Sequence, residues 1–304
     1  MSGFNSTVPH VLLPEDTPYG YWVSKTACYI FIVLFGISTT LHIGQSVVHR
    51  LWFPLWTAAL CGVGELIGWS ARLWSAINPA ADDPFLMQIS STIISPTFLV
   101  AANFVILGRV IFLVGPEYSR LSPTWYTKVF LTADLVALVI QAIGGGLASS
   151  ANDHAGSERG AQIMLAGIGI QFAALTIYSL LAIEFLVRVA LDRPLRSLNL
   201  SSRGDMDNKV KSMIAGLIIG AIFLFVRTVY RTIELTDGWN GKVITNQNLF
   251  NWCDGMPIAV AMLTLNVFHP GRLIYNKDRI LPKNDLRSTD SSNATLPMRS
   301  IETV

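Results

Sequence analysis

Residues 212–233 read SMIAGLIIGAIFLFVRTVYRTI, an apolar stretch interrupted only near its end by Arg227 and Arg231. It matches the ~20 residues a helix needs to cross a ~30 Å hydrocarbon core. It lacks the period-2 alternation of a barrel strand and exceeds the ~10 residues of one, so in lipid its backbone groups are satisfied within a helix. Six further apolar runs, roughly 22 to 44, 52 to 74, 91 to 114, 126 to 149, 162 to 187 and 250 to 269, have the same character. The predicted fold is all-α: a polytopic membrane protein with seven transmembrane helices over residues 21–275, an extracellular segment 1–20 and a disordered cytosolic tail 276–304.

Composition agrees. The 304 residues are 51% hydrophobic and 14% charged, against about 25% charged in an ordinary soluble domain. Basic residues near span ends are retained on the cytosolic side. With the N-terminus outside, sixteen of the 22 Lys and Arg fall on the cytosolic side, among them Arg50, Arg109, Arg188, Lys209, Lys211 and Arg272. The first twenty residues carry no Lys or Arg, and the following apolar run is long for a cleavable signal, so the first helix is expected to stay. Asn5-Ser6-Thr7 is a glycosylation sequon on the expected outer side; the sequons at Asn199 and Asn293 fall in expected cytosolic segments. Cys28, Cys61 and Cys253 all lie inside predicted helices and read as small packing residues rather than disulfide partners. Trp22, Trp52, Trp69, Trp74, Trp125 and Tyr126 fall near span ends, where interfacial anchors belong.

An ionisable group at the centre of a span costs roughly 2.5 to 3.5 kcal/mol on insertion scales, so each calls for a partner or a job. Glu65 and Arg72 are seven apart on one face of the second helix, where Gly64 and Gly68 form a small-xxx-small patch. That patch permits self-association or packing within the chain. Arg227, Arg231 and Glu234 make one stripe on the sixth helix, and Asp254 lies about a turn inside the outer end of the seventh. These six charges map to the outer half and sum to zero. They form either a paired cluster fixing helix packing or the lining of a cavity open to the outer leaflet, where guanidiniums hold phosphate or carboxylate and carboxylates hold an amine.

In the inner half, Asp134 has Gln141 seven residues on along its face, followed by Gly144-Gly145-Gly146, read equally as a hinge or a close helix crossing. Glu184 and Arg188 form a local i, i+4 pair. Pro96 and Pro257 mark possible kinks. The candidate substrate-binding residues are therefore Glu65, Arg72, Asp134, Gln141, Arg231, Glu234 and Asp254.

The strings Glu65-Leu66-Ile67-Gly68-Trp69-Ser70-Ala71-Arg72, Ser95-Pro96-Thr97-Phe98, Leu107-Gly108-Arg109, Asp134-Leu135-Val136, Gln141 to Gly146, Tyr230-Arg231-Thr232-Ile233-Glu234 and Asn266-Val267-Phe268-His269-Pro270-Gly271 together resemble the fungal lipid-translocating exporter family, in order, from about residue 20 to residue 275. The resemblance implies seven helices, export of sphingoid long-chain bases or resistance to lipophilic compounds, and a plasma-membrane or endomembrane location. Leu235-Thr236-Asp237-Gly238 departs from the stretch the family shows after its sixth-helix Arg-x-x-Glu. The expected partners are membrane lipids or lipophilic small molecules, with no nucleic acid and no cofactor.

No Gly-x-x-x-x-Gly-Lys-Ser/Thr, His-Glu-x-x-His or Gly-x-Ser-x-Gly motif occurs, so neither ATP-driven pumping nor a membrane enzyme is expected. A seven-helix lipid-sensing receptor is the competing reading. Against it stand Leu107-Gly108-Arg109 in place of Asp-Arg-Tyr and the absence of Asn-Pro-x-x-Tyr.

Overall fold

A computed structural model describes residues 13–14, 17–81, 83–151, 153–195, 206–238 and 241–275. Asn5, Asn199, Asn293 and the segment 276–304 lie outside the described residues. Among those described, every regular element is helical: α1 (Lys25–His49), α2 (Leu60–Ile77), α3 (Asp83–Val114), α4 (Pro123–Ser150), α5 (His154–Ala190), α6 (Asn208–Asp237), α7 (Gln247–Phe250), α8 (Met256–Val267) and α9 (Pro270–Leu273). Short polar caps start several of them. Ser24 Oγ accepts from Ala27 N at 3.4 Å, Asp153 Oδ1 from Gly156 N at 3.3 Å, and Asn246 Oδ1 from Asn248 N at 3.1 Å.

Five helices, α1, α3, α4, α5 and α6, are long and apolar enough to cross a membrane. The two remaining expected spans are lengthened by π turns. The course from 53 to 77 runs unbroken through a π turn at Leu55–Ala59 into α2, and that from 247 to 267 joins α7 to α8 through a π turn at Asn251–Gly255.

The apolar stretch of α3 is 72% buried, against 28 to 39% in the other four long helices, so α3 is the axis around which the bundle packs. The others turn large apolar side chains outward, among them Val33 and Ile37 on α1, Leu135 and Ile143 on α4, and Leu180 and Ile183 on α5. Rows of this kind are costly in water and cost nothing in lipid. Trp22, Trp52, Trp74 and Trp125 are exposed, as anchors should be, but Trp69 and Tyr126 are not anchors: they are 1% and 0% exposed and belong to the core.

The helices α4 and α5 approach most closely through glycine. A Cβ on Gly144 would lie 2.5 Å from Met164 N and 2.7 Å from Gly160 O, and one on Gly160 would strike the backbone of Ala148. Gly144 is thus consumed by a close helix crossing, whereas a Cβ on Gly146 would meet nothing within 4 Å. Gly144→Ala is expected to force the pair apart and cost about 1 to 3 kcal/mol. Gly146→Ala should be neutral or stabilising by up to ~1 kcal/mol. Thermal unfolding of the two purified variants checks this; equal effects would remove the packing argument.

Candidate functional site

The six charges expected in the outer half do not form one cluster. Arg227, Arg231, Glu234 and Asp254, each at most 3% exposed, make a closed network. Arg231 holds Asp254 in a two-pronged contact, Nε to Oδ1 at 2.8 Å and Nη2 to Oδ2 at 2.6 Å, and its Nη1 donates to Glu234 Oε2 at 2.6 Å. Arg227 Nε donates to the same Asp254 Oδ1 at 3.1 Å, while Tyr230 Oη donates to Glu234 Oε1 at 2.9 Å. Two guanidiniums meet two carboxylates, so the charge closes.

Backbone irregularities build this network. Pro96 has no N–H, so the Thr92 carbonyl one turn earlier in α3 lacks its helical partner. Arg227 Nη2 fills that vacancy at 2.7 Å, and Arg231 Nη2 donates to Thr92 Oγ1 at 2.9 Å. Pro96 therefore creates an acceptor for a buried cation without interrupting α3. Asp254 sits within the π turn at Asn251–Gly255 that leads to Pro257, and such turns re-aim side chains out of a regular helical stripe.

Glu65 forms no hydrogen bond with the network, although the charges of Arg227, Arg231 and Asp254 act on it. It is fully buried, and both carboxylate oxygens lack a hydrogen-bond partner. The Trp69 indole one turn on stands beside the carboxylate and is the donor next to it. Gly64 and Gly68 abut Ser95 and Thr92, so this patch is spent on packing α2 against α3.

Arg72, 1% exposed, finds no carboxylate among the described residues. Its Nη2 donates to Tyr21 Oη at 2.6 Å, and its guanidinium carbon lies 4.3 Å from the ring centre of Phe250, 4.9 Å from Tyr19, 5.7 Å from Tyr21 and 5.8 Å from Trp69. Burial pushes the Tyr19 phenol above its ordinary value, and the neighbouring Arg72 charge draws it partly back.

Asp134 is likewise buried with both oxygens unpartnered. Gln141 belongs to a polar chain instead, its Nε2 donating to Gln171 Oε1 at 3.2 Å and Gln171 Nε2 to Thr97 Oγ1 at 2.8 Å. Gln171 and Thr92 were missed as site residues; a glutamine inside an apolar run was a visible signal, whereas Thr92 matters only through its neighbours. At the other end of the bundle Glu184 binds Arg188 as expected and also Arg120 Nε at 2.6 Å.

Between α5 and α6, closed on one side by Leu107, lies a cleft of about 400 Å³. Its walls include Leu180, Ile183, Leu186, Leu217, Ala221 and Phe225, and its size falls within the range of small-molecule sites.

Outward apolar rows, buried charge and an apolar lateral cleft define an integral, multi-pass helical membrane protein. The chain belongs to the family described as RTA1 like protein, whose model matches residues 58–277. It is 31% identical over 279 residues to the sphingoid long-chain base transporter RSB1 of Saccharomyces cerevisiae (strain JAY291), covering 83% of this chain and 72% of that one. Identity to the probable lipid transporter atnI of Emericella nidulans is 26% over 273 residues, 86% of this chain and 70% of the relative. Protein RTA1 of Saccharomyces cerevisiae is 24% identical over 207 residues, 68% and 62% of the two chains. No solved structure matches.

Proposed function

We propose that this chain translocates single-chain amphipathic lipids carrying an amine, of the sphingoid long-chain base type, across the plasma membrane without acting as an enzyme. The observation that carries the reading is the pair of buried carboxylates that form no hydrogen bond, Glu65 and Asp134, of which Glu65 feels the nearby Arg227 and Arg231 charges and Asp134 faces no charge among the described residues. A buried carboxylate lacking a hydrogen bond is costly, and a bound ammonium offsets that cost. Glu65 receives the headgroup in the outer half and Asp134 is its second station in the inner half, while the cleft between α5 and α6 takes the hydrocarbon chain. Arg231, Glu234 and Asp254 hold the outer station in shape, Gln141 flanks the inner one, and Arg72 lies above Glu65 on the same helix.

In this reading the chain spans the membrane seven times, with the helical courses from 53 to 77 and from 247 to 267 as the second and seventh spans. The N-terminal segment 1–20 is outside, with Asn5 open to glycosylation, and the tail 276–304 is cytosolic. The charge bias supports this orientation: Arg50, Arg109, Arg120, Arg188, Lys209 and Arg272 gather toward one end of the bundle and Lys25, Arg159 and Lys242 toward the other. The names of the relatives support the substrate class.

The test is export of labelled sphingoid base from cells expressing the protein or its Glu65→Gln and Asp134→Asn variants at equal surface levels. Losing a charged hydrogen-bond partner worth about 1.5 to 3 kcal/mol should slow export about tenfold or more in each variant. Undiminished export by both variants would remove the carboxylates from the mechanism.

A further inference from the structure

The segment 17–24 folds over the outer end of the bundle and is held there by specific contacts. Tyr19 Oη lies 3.3 Å from Ser75 Oγ, the Tyr19 ring meets Phe85 edge-on at 4.9 Å, and Ser24 N donates to Gln247 Oε1 at 2.7 Å. Gly20 makes the bend at φ 71°, a left-handed conformation natural to glycine. Beneath this strap Arg72 keeps its charge with a single hydrogen-bond partner among the described residues, although a guanidinium offers five donors. Arg227 and Arg231, by contrast, are both ion-paired.

Beside the cage lies a cavity of about 300 Å³ bounded by Thr17, Tyr19, Tyr21, Lys25, Ser75 and Pro79, among others. Tyr19 and Tyr21 are common to both, so the two phenols form the partition between cavity and guanidinium. Lys25 also lines the cavity and is exposed, and no carboxylate lines it among the described residues. Among the described residues the polar wall is thus made of one ammonium, two hydroxyls and two phenols, with the Arg72 guanidinium behind the phenols, a donor set that receives an anion.

We propose that this outer cavity binds a phosphomonoester group, which displaces the Tyr21 phenol from Arg72 Nη2 and is held between Arg72 and Lys25. The planar fork of Arg72 suits two phosphate oxygens at once, whereas the phenol satisfies one donor only. The bound group neutralises the buried cation that the aromatic cage otherwise shields through its ring faces. The site is separate from Glu65 and Asp134, and its occupancy does not rest on the transport reading: anion binding and amine export succeed or fail independently.

The experiment titrates the purified full-length chain, in micelles of a non-ionic detergent, with dodecyl phosphate, inorganic phosphate and dodecylamine by calorimetry. Saturable binding of dodecyl phosphate is expected. Equal binding of inorganic phosphate identifies the free anion as the ligand, and weaker binding identifies a lipid headgroup; both outcomes support the site. Lys25→Gln should weaken dodecyl phosphate about threefold to fivefold, the scale of an exposed charge contact. Tyr21→Phe should tighten it about threefold or more, because it releases the Arg72 donor without removing the ring. A purely structural strap predicts no gain of affinity in Tyr21→Phe. Failure of the wild-type protein to bind either phosphate, dodecylamine binding that depends on Lys25 in their place, or affinities unmoved by both substitutions would overturn the proposal.

Discussion

Asp254→Ala is expected to leave little folded protein, at a cost of about 3 to 5 kcal/mol, the range for removing one partner from a buried ion pair. The side chain accepts from Arg227 and Arg231 together, so its loss leaves two guanidiniums in the interior with one hydrogen-bonded carboxylate, Glu234, which contacts Arg231 alone. Thr92 supplies two neutral acceptors and cannot balance the charge. Asp254→Asn should fall between, since the amide oxygen still accepts one hydrogen bond but the net charge is lost. The paired variant Arg227→Met, Asp254→Asn should recover part of the deficit by removing the cation that Asp254→Asn leaves uncompensated. Thermal unfolding and elution profile of the purified variants measure the series. An Asp254→Ala protein as stable as wild type would show that these charges are solvated, and with that the closed network would fall.

The second large effect concerns transport rather than folding. Ala221 lines the cleft between α5 and α6, and Ala221→Phe fills that space from a wall that is already apolar. Excluding two methylenes of a bound chain forfeits about 1.6 kcal/mol at ~0.8 kcal/mol each, more than a tenfold loss of affinity. The variant should remain folded, because the cleft is empty space rather than packed core, and should move an amine lipid poorly at normal surface levels. Short-chain amines that need less of the cleft should be spared. Unchanged movement of the long-chain lipid in a stable Ala221→Phe protein would place the hydrocarbon elsewhere.

Much of this architecture was legible in the sequence because long apolar runs report directly on what a helix must bury in lipid. The expected runs correspond closely to the helices, from α1 at Lys25–His49 to the course ending at Val267. The ends differ by up to eight residues, since polar first turns such as those of α3 and α5 extend a helix beyond its apolar part. Individual polar contacts were less legible. Spacing placed Arg227, Arg231 and Glu234 on one stripe, and they do act together. Glu65 and Arg72 also share a face but have different fates, because Trp69 and Phe250 fill the space around Arg72. The π turn at Asn251–Gly255 and the carbonyl freed by Pro96 were invisible to periodicity, and they determine where Asp254 and Arg227 meet. Trp69 and Tyr126 were misplaced at the interface for a related reason: position near a span end does not say which way a ring faces.

The central claim is that this chain alone moves a single-chain amine lipid between leaflets. It is tested most directly by reconstituting the purified protein in vesicles and following a fluorescent sphingoid base from one leaflet to the other. The account predicts flux well above protein-free vesicles, reduced about tenfold by Glu65→Gln and by Ala221→Phe. Flux no faster than in protein-free vesicles, from a protein shown to be folded, would contradict it.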